Sequence, residues 1–164
     1  MKATEYARSG LGGALDFLAT CAKEMDEAQY NHQPEGKCNP IAKLHAHALS
    51  GADFFVSTML AGQPSKWPEF AAKTGLPANA MEIWGSDAKI SLDVMTEYAN
   101  AIKDPILAYI DTLTDEDLDR EIDTRFMGTQ TVGWVLQLAT SHTLGHAGEI
   151  SAIKGTQGLK GLPM

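Results

Sequence analysis

A single helical face near the C-terminus constrains this chain most. In TVGWVLQLATSHTLGHAGEISAIKG, Thr131 to Gly155, the residues Val135, Leu138, His142, His146, Glu149 and Ile153 succeed one another at steps of three or four. That spacing predicts one stripe of an α-helix, with two imidazoles and a carboxylate inside an otherwise apolar face. An unpartnered polar group in a core costs about 1–3 kcal/mol on mutational scales, so these side chains need partners. Two readings stand: histidines satisfied by hydrogen bonds alone, or two rings one turn apart that converge on a metal ion. A third ligand elsewhere in the chain decides between them.

Length and charge limit the rest. The 164 residues, 44% hydrophobic and 21% charged, make one domain (1–164) able to bury roughly two thirds of its unfolded surface. A formal charge of −8 and the lack of any basic run argue against nucleic acid, whose binding rests on phosphate neutralisation. They argue equally against an anionic membrane surface. The opening MKATEYARSG has no apolar signal-like run, and no stretch approaches a membrane span. Cys21 and Cys38 make no disulfide framework or zinc-knuckle spacing, and two free thiols without an export signal point to the cytoplasm.

In chain order, a first helix is expected from about Thr4 to Gln29, with Tyr6, Gly10, Ala14, Phe17, Cys21, Met25 and Ala28 as its stripe. Gly10, Gly12 and Gly13 weaken it by up to about 1 kcal/mol each relative to Ala, unless they admit a close neighbour. NHQPEGKCNP breaks it and carries His32, read as a solvated loop residue. Asn39 as N-cap and Pro40 at the first position open a second helix to about Leu60, with Ile41, Leu44, Ala48, Gly51 and Phe55 facing inward. His45 and His47 fall on opposite edges of that stripe, about 160° apart. Phe54 widens it on the side of His47, so His47 is expected inward and His45 on the surface.

Residues 62–85 hold no long period, and a connector of that length is uncommon without a task. Extended, it reaches up to roughly 80 Å, enough to return along a helix and set the second and third helices parallel. Trp67, Phe70 and Trp84 are expected to pack it down, rather than to form a lid or a dimer contact. A third helix is expected from Ser86 or Asp87, with Pro105 either kinking it or starting a new one after Asp104. TDEDLDRE reads as a short acidic helix capped at Thr114, Thr131 caps the last helix, Gly155 ends it, and Gly158, Gly161 and Pro163 make the tail irregular.

The segments NPIAKLHAHALSGADFF and TVGWVLQLATSHTLGHAGEISAIKGTQG, in that order and with TDEDLDREI between them, resemble the DinB/YfiT-like family of metalloenzymes over nearly the whole chain. The resemblance implies an all-α four-helix bundle, up-down with a long crossover between helices 2 and 3, and often a homodimer. It implies one divalent metal on His47, His142 and His146, with other positions open to water. Zinc or nickel is favoured, and iron is compatible with three imidazoles. Several family members are similar to transferases or isomerases that use a low-molecular-weight thiol. This implies a small-molecule substrate and a thiol cosubstrate, with neither nucleic acid nor membrane as partner. Ala147 stands where many relatives carry a basic residue, which leaves the choice of thiol open. Glu149 is the candidate catalytic residue: it could orient a water on the metal, take a proton, bind as a fourth ligand, or support a ligand imidazole. Asp53 is expected to be structural. The competing class is a non-catalytic bundle in which the ion only ties helices together, with a structural, stress-related or interaction role.

Overall fold

The computed structural model describes residues 1–162, which leaves Pro163 of the expected irregular tail outside the described residues. Helix α1 (Ala3–Cys21) is followed by a single turn, α2 (Glu27–Tyr30), that Asp26 and Gln29 close with a reciprocal capping box. The break falls where Glu24 takes a left-handed φ of 60°, so the expected continuous helix to Gln29 is two pieces. The core stripe of α1 is Leu11, Ala14, Leu15, Leu18 and Cys21, rotated from the expected one. Tyr6, taken from sequence as its first anchor, is exposed, because the buried line of the helix runs through Leu11, Leu15 and Leu18 instead. Gly12 does admit a neighbour: a Cβ there would lie 3.4 Å from the Leu107 side chain.

Helix α3 (Ile41–Asp53) starts one residue late, with Pro40 rather than Asn39 as its N-cap. From Phe54 to Leu60 the winding loosens into a π-helix, marked by the bond from Ala61 N–H to Val56 O at 2.9 Å. Such segments are rare and recur at functional sites. Here it re-aims Phe54 and Phe55. Asp53 sits at the change of winding, 1% exposed. Its Oδ2 accepts from Ser65 Oγ (2.7 Å), Lys66 N (2.8 Å) and Tyr98 OH (2.9 Å). The carboxylate thus ties the following connector to the helix that carries Tyr98, a structural role. Burial, and secondarily the charge of Asp53, holds the Tyr98 hydroxyl's pKa far above its usual value, so it remains a donor.

Residues 62–85 are more ordered than their lack of period suggests. They contain α4 (Trp67–Thr74), with Pro68 in its first turn and Gly75 left-handed at its end, and a 3-10 helix, Ala80–Gly85. Trp67 and Phe70 are buried, and Trp84 is half-buried. Helix α5 (Leu92–Asp111) begins several residues later than expected and runs through Pro105 as one element. Thr114 and Asp117 exchange capping bonds, but the acidic segment winds as a 3-10 turn, Glu116–Asp119.

A small antiparallel hairpin then departs from the all-α expectation. Strand β1 (Glu121–Asp123) pairs with β2 (Thr129–Thr131), Ile122 opposite Gln130, around a turn in which Arg125 and Gly128 have positive φ. Three-residue strands carry too few alternations to announce themselves in a sequence. Thr131 caps α6 (Val132–Thr156) as expected, its Oγ1 accepting from Trp134 N at 3.1 Å. The architecture is mostly helical. Helix α1 packs on α5 and α6, and α3 packs on the same two. Among the described residues no helix is long and apolar enough to cross a membrane.

Candidate metal centre

Helix α6 buries Val132, Leu136, Ala139, Thr143, Ala147 and Ile150 along one line. His142 and His146 flank that line instead of lying within it, and Glu149 is exposed. Both histidines are therefore half-buried and near the helix interface, and His142 also faces a solvent-side cavity. Across that interface α3 supplies His47. His142 Nε2 lies 3.1 Å from His47 Nε2 and 3.2 Å from His146 Nε2, and the three candidate ligand atoms are all within 4.8 Å of one another.

Protonation decides what such a cluster can hold. Burial first, and then the neighbouring His146 ring, lower the pKa values of His47 and His142 to about 4. Both rings are neutral at pH 7, the form that binds metal. Glu149 Oε2 lies 2.5 Å from His146 Nδ1, and a carboxylate accepting there places the ring's lone pair on Nε2. His142 Nε2 has a single in-plane site, a proton or a lone pair, to offer two neighbouring nitrogens, so hydrogen bonding alone satisfies only one of the two contacts well. A cation among the three nitrogens removes that shortfall. The donor set fits an ion: three imidazoles from two helices, with the second carboxylate–histidine layer common at metal sites.

Packing holds the rings in place. An edge-on Phe55 ring lies 5.6 Å from His142, and Trp84 tilts against His47 at 4.7 Å. Gly51 faces His142 so closely that a Cβ there would come within 2.5 Å of its Cε1. His142 Nδ1 is buried with no hydrogen-bond partner among the described residues, so on that side contact rather than a hydrogen bond holds the ring. Sequence reading placed Gly51 in the stripe but missed its task. The available signal was the cost of glycine inside a helix, about 1 kcal/mol relative to alanine. A cavity of about 530 Å³ opens beside the cluster, with His47 and His142 in its wall.

His45 departs from expectation. It is 2% exposed, not on the surface, and its Nδ1 pairs with Tyr30 OH at 2.9 Å. Helix α3 is enclosed on both edges, so the choice between inward and outward that the stripe offered did not exist. His32 is exposed, as read from sequence.

The Glu149 contact makes a quantitative expectation. Glu149→Ala should weaken divalent-metal affinity about 10–100-fold, as loss of a ligand's carboxylate partner typically does. Competition titration against a chromophoric chelator reads this, and unchanged affinity would show the contact to be idle.

A mostly helical protein that gathers three imidazoles from two helices is, by fold and site, a candidate metal-binding bundle. Residues 14–150 match the DinB superfamily, and the chain belongs to that family. The structure of a conserved protein from Enterococcus faecalis is similar at 19% identity, over 94% of this chain and 96% of that one, with a TM-score of 0.79. A DinB-like protein from Bacillus subtilis is similar at 22% identity, over 97% and 96%, with a TM-score of 0.66. Both likenesses concern the fold. No curated protein matches the chain.

Proposed function

We propose that this protein is a divalent-metal-dependent transferase or isomerase in which a low-molecular-weight thiol attacks an electrophilic carbon. The observation that carries the reading is the convergence of His47, His142 and His146 on one point, at Nε2 separations of 3.1 and 3.2 Å about His142. Those three side chains would hold the ion, zinc or nickel in preference to iron. When bound, a divalent ion supplies Lewis-acid stabilisation of an anion such as a thiolate near neutral pH.

The chain's own residues do the rest. Glu149 keeps the proton on His146 Nδ1, so that Nε2 stays available, and acts as a positioning residue. Phe55 and Trp84 shield the rings from water. In the transfer, the thiol loses its proton to water, an S–C bond forms, and the bond from that carbon to its leaving group breaks. The leaving group departs with the electron pair. On this reading α1, α3, α5 and α6 are the rods of an up-down four-helix bundle, with residues 62–85 as the crossover. The protein acts in the cytoplasm, and copies associate as homodimers.

Metal-loaded and chelator-treated protein, each incubated with a panel of bacterial thiols and monochlorobimane, should differ: conjugate forms at a rate that requires the metal. Equal rates with and without metal, for every thiol, would leave the transferase reading without support. A large drop in melting temperature on chelation, with no conjugate formed, would favour an ion that only ties α3 to α6.

A further inference from the structure

The cavity beside the histidines has a chemical character of its own. Among the described residues, His47 and His142 are the only titratable side chains that line it. Its polar side chains are already engaged by the protein. Ser65 Oγ donates to Asp53 and accepts from Trp67 N–H, and Ser50 Oγ donates to His47 O. Asn79 donates to Glu82 and accepts from Met81 N–H, while Trp67 Nε1–H is bonded to Pro77 O. What remains is hydrocarbon and aromatic surface.

The mouth is apolar too, although it meets solvent. Met81 is 73% exposed, Phe126 61% and Phe54 36%. The Phe54 and Phe126 rings lie 5.9 Å apart at 27°, joining the hairpin turn to the π-helix. Three large apolar side chains gathered at one opening are unusual on a surface and mark a place where something apolar is taken up. A volume of about 530 Å³ is in the range of small-molecule sites.

We propose that this cavity binds a bulky, uncharged, apolar group of the substrate, with Met81, Phe54 and Phe126 selecting against charge at its mouth. Calling that substrate the electrophile rests on the thiol-transfer reading above; the binding itself needs neither thiol nor metal. Away from the two histidines a charged group would lose its hydration without a partner to replace it. An apolar one gains by leaving water.

A matched pair of fluorescent probes tests this: neutral N-phenyl-1-naphthylamine and anionic 1-anilinonaphthalene-8-sulfonate, which share a skeleton and differ by one sulfonate. The neutral probe should bind saturably at one site per chain and at least about tenfold more tightly than the anionic one. Met81→Asp and Phe126→Asp, both at exposed positions that folding does not require, should each weaken the neutral probe about tenfold or more. Chelator-treated protein should bind it within about twofold of metal-loaded protein, which separates this result from any failure of the metal or thiol chemistry. Absence of saturable binding, equal affinity for the two probes, or indifference to both substitutions would overturn the proposal. So would a change in oligomeric state in both variants with probe binding intact, because the mouth would then be a contact between copies.

Discussion

His142→Ala is expected to leave the protein without stoichiometric metal. Its Nε2 is the hub of the cluster, in contact with both other candidate nitrogens, whereas His47 and His146 each touch it from one side. Removing it leaves one ring on α3 and one on α6, with the central donor gone. The loss should exceed the 10–100-fold expected for a supporting residue. Elemental analysis after gel filtration reads the occupancy. Stability gives a second readout. Metal at about 100 times its Kd should stabilise the wild-type protein by about 2.7 kcal/mol and the variant by nothing measurable. His47→Ala should behave alike. His32→Ala and His45→Ala should both keep their metal, since one ring is in solvent and the other is turned toward Tyr30. Full metal content in His142→Ala would reject the site.

Gly51→Ala is expected to disable the same site without touching a ligand. Two effects oppose each other at this position. Alanine is the better helix former by about 1 kcal/mol, which alone would stabilise α3. Against this, the new methyl would sit 2.5 Å from His142 Cε1 and 2.9 Å from Nδ1. The ring has His47 on another side, so relief requires it to swing out of the cluster or α3 and α6 to part. Overpacking of this kind costs about 1–3 kcal/mol, and we expect it to win. The variant should fold, be less stable, and bind metal at least about tenfold more weakly in the same chelator competition. A double-mutant cycle isolates the cause. In a His142→Ala background the clash is gone, and Gly51→Ala should then stabilise by about 1 kcal/mol. Unchanged affinity together with higher stability in the single variant would mean that the ring has room to move.

Much of this site was legible because helical geometry is periodic. His142, His146 and Glu149 follow from spacing alone, and Thr131 announced the start of their helix. Their exact place on the face did not. Val135 and Ile153 of the expected stripe are buried, but Leu138 is only half-buried, and burial between them runs through Leu136, Ala139 and Thr143, with the histidines flanking it. A stripe read from sequence assumes one buried side. Helix α3 shows the failure of that assumption most plainly: His45 and His47, set on opposite edges, are both enclosed, one paired with Tyr30 and one in the cluster.

The hairpin, the π-helical segment and the late start of α5 left no comparable trace. Three-residue strands are shorter than the pattern that identifies them. The π-helix is written in ordinary helix-compatible residues, FFVSTML, and is set by what its side chains meet. Sequence by itself determined the helical character, the paired imidazoles one turn apart and the want of charge that suits nucleic acid. Tertiary structure alone decided that His45 is buried as well as His47, why residue 51 has no side chain, and that an apolar cavity lies against the rings. Local spacing acts within one turn of one helix, while these three depend on distances between segments far apart in the chain, fixed only when α3 packs against α6.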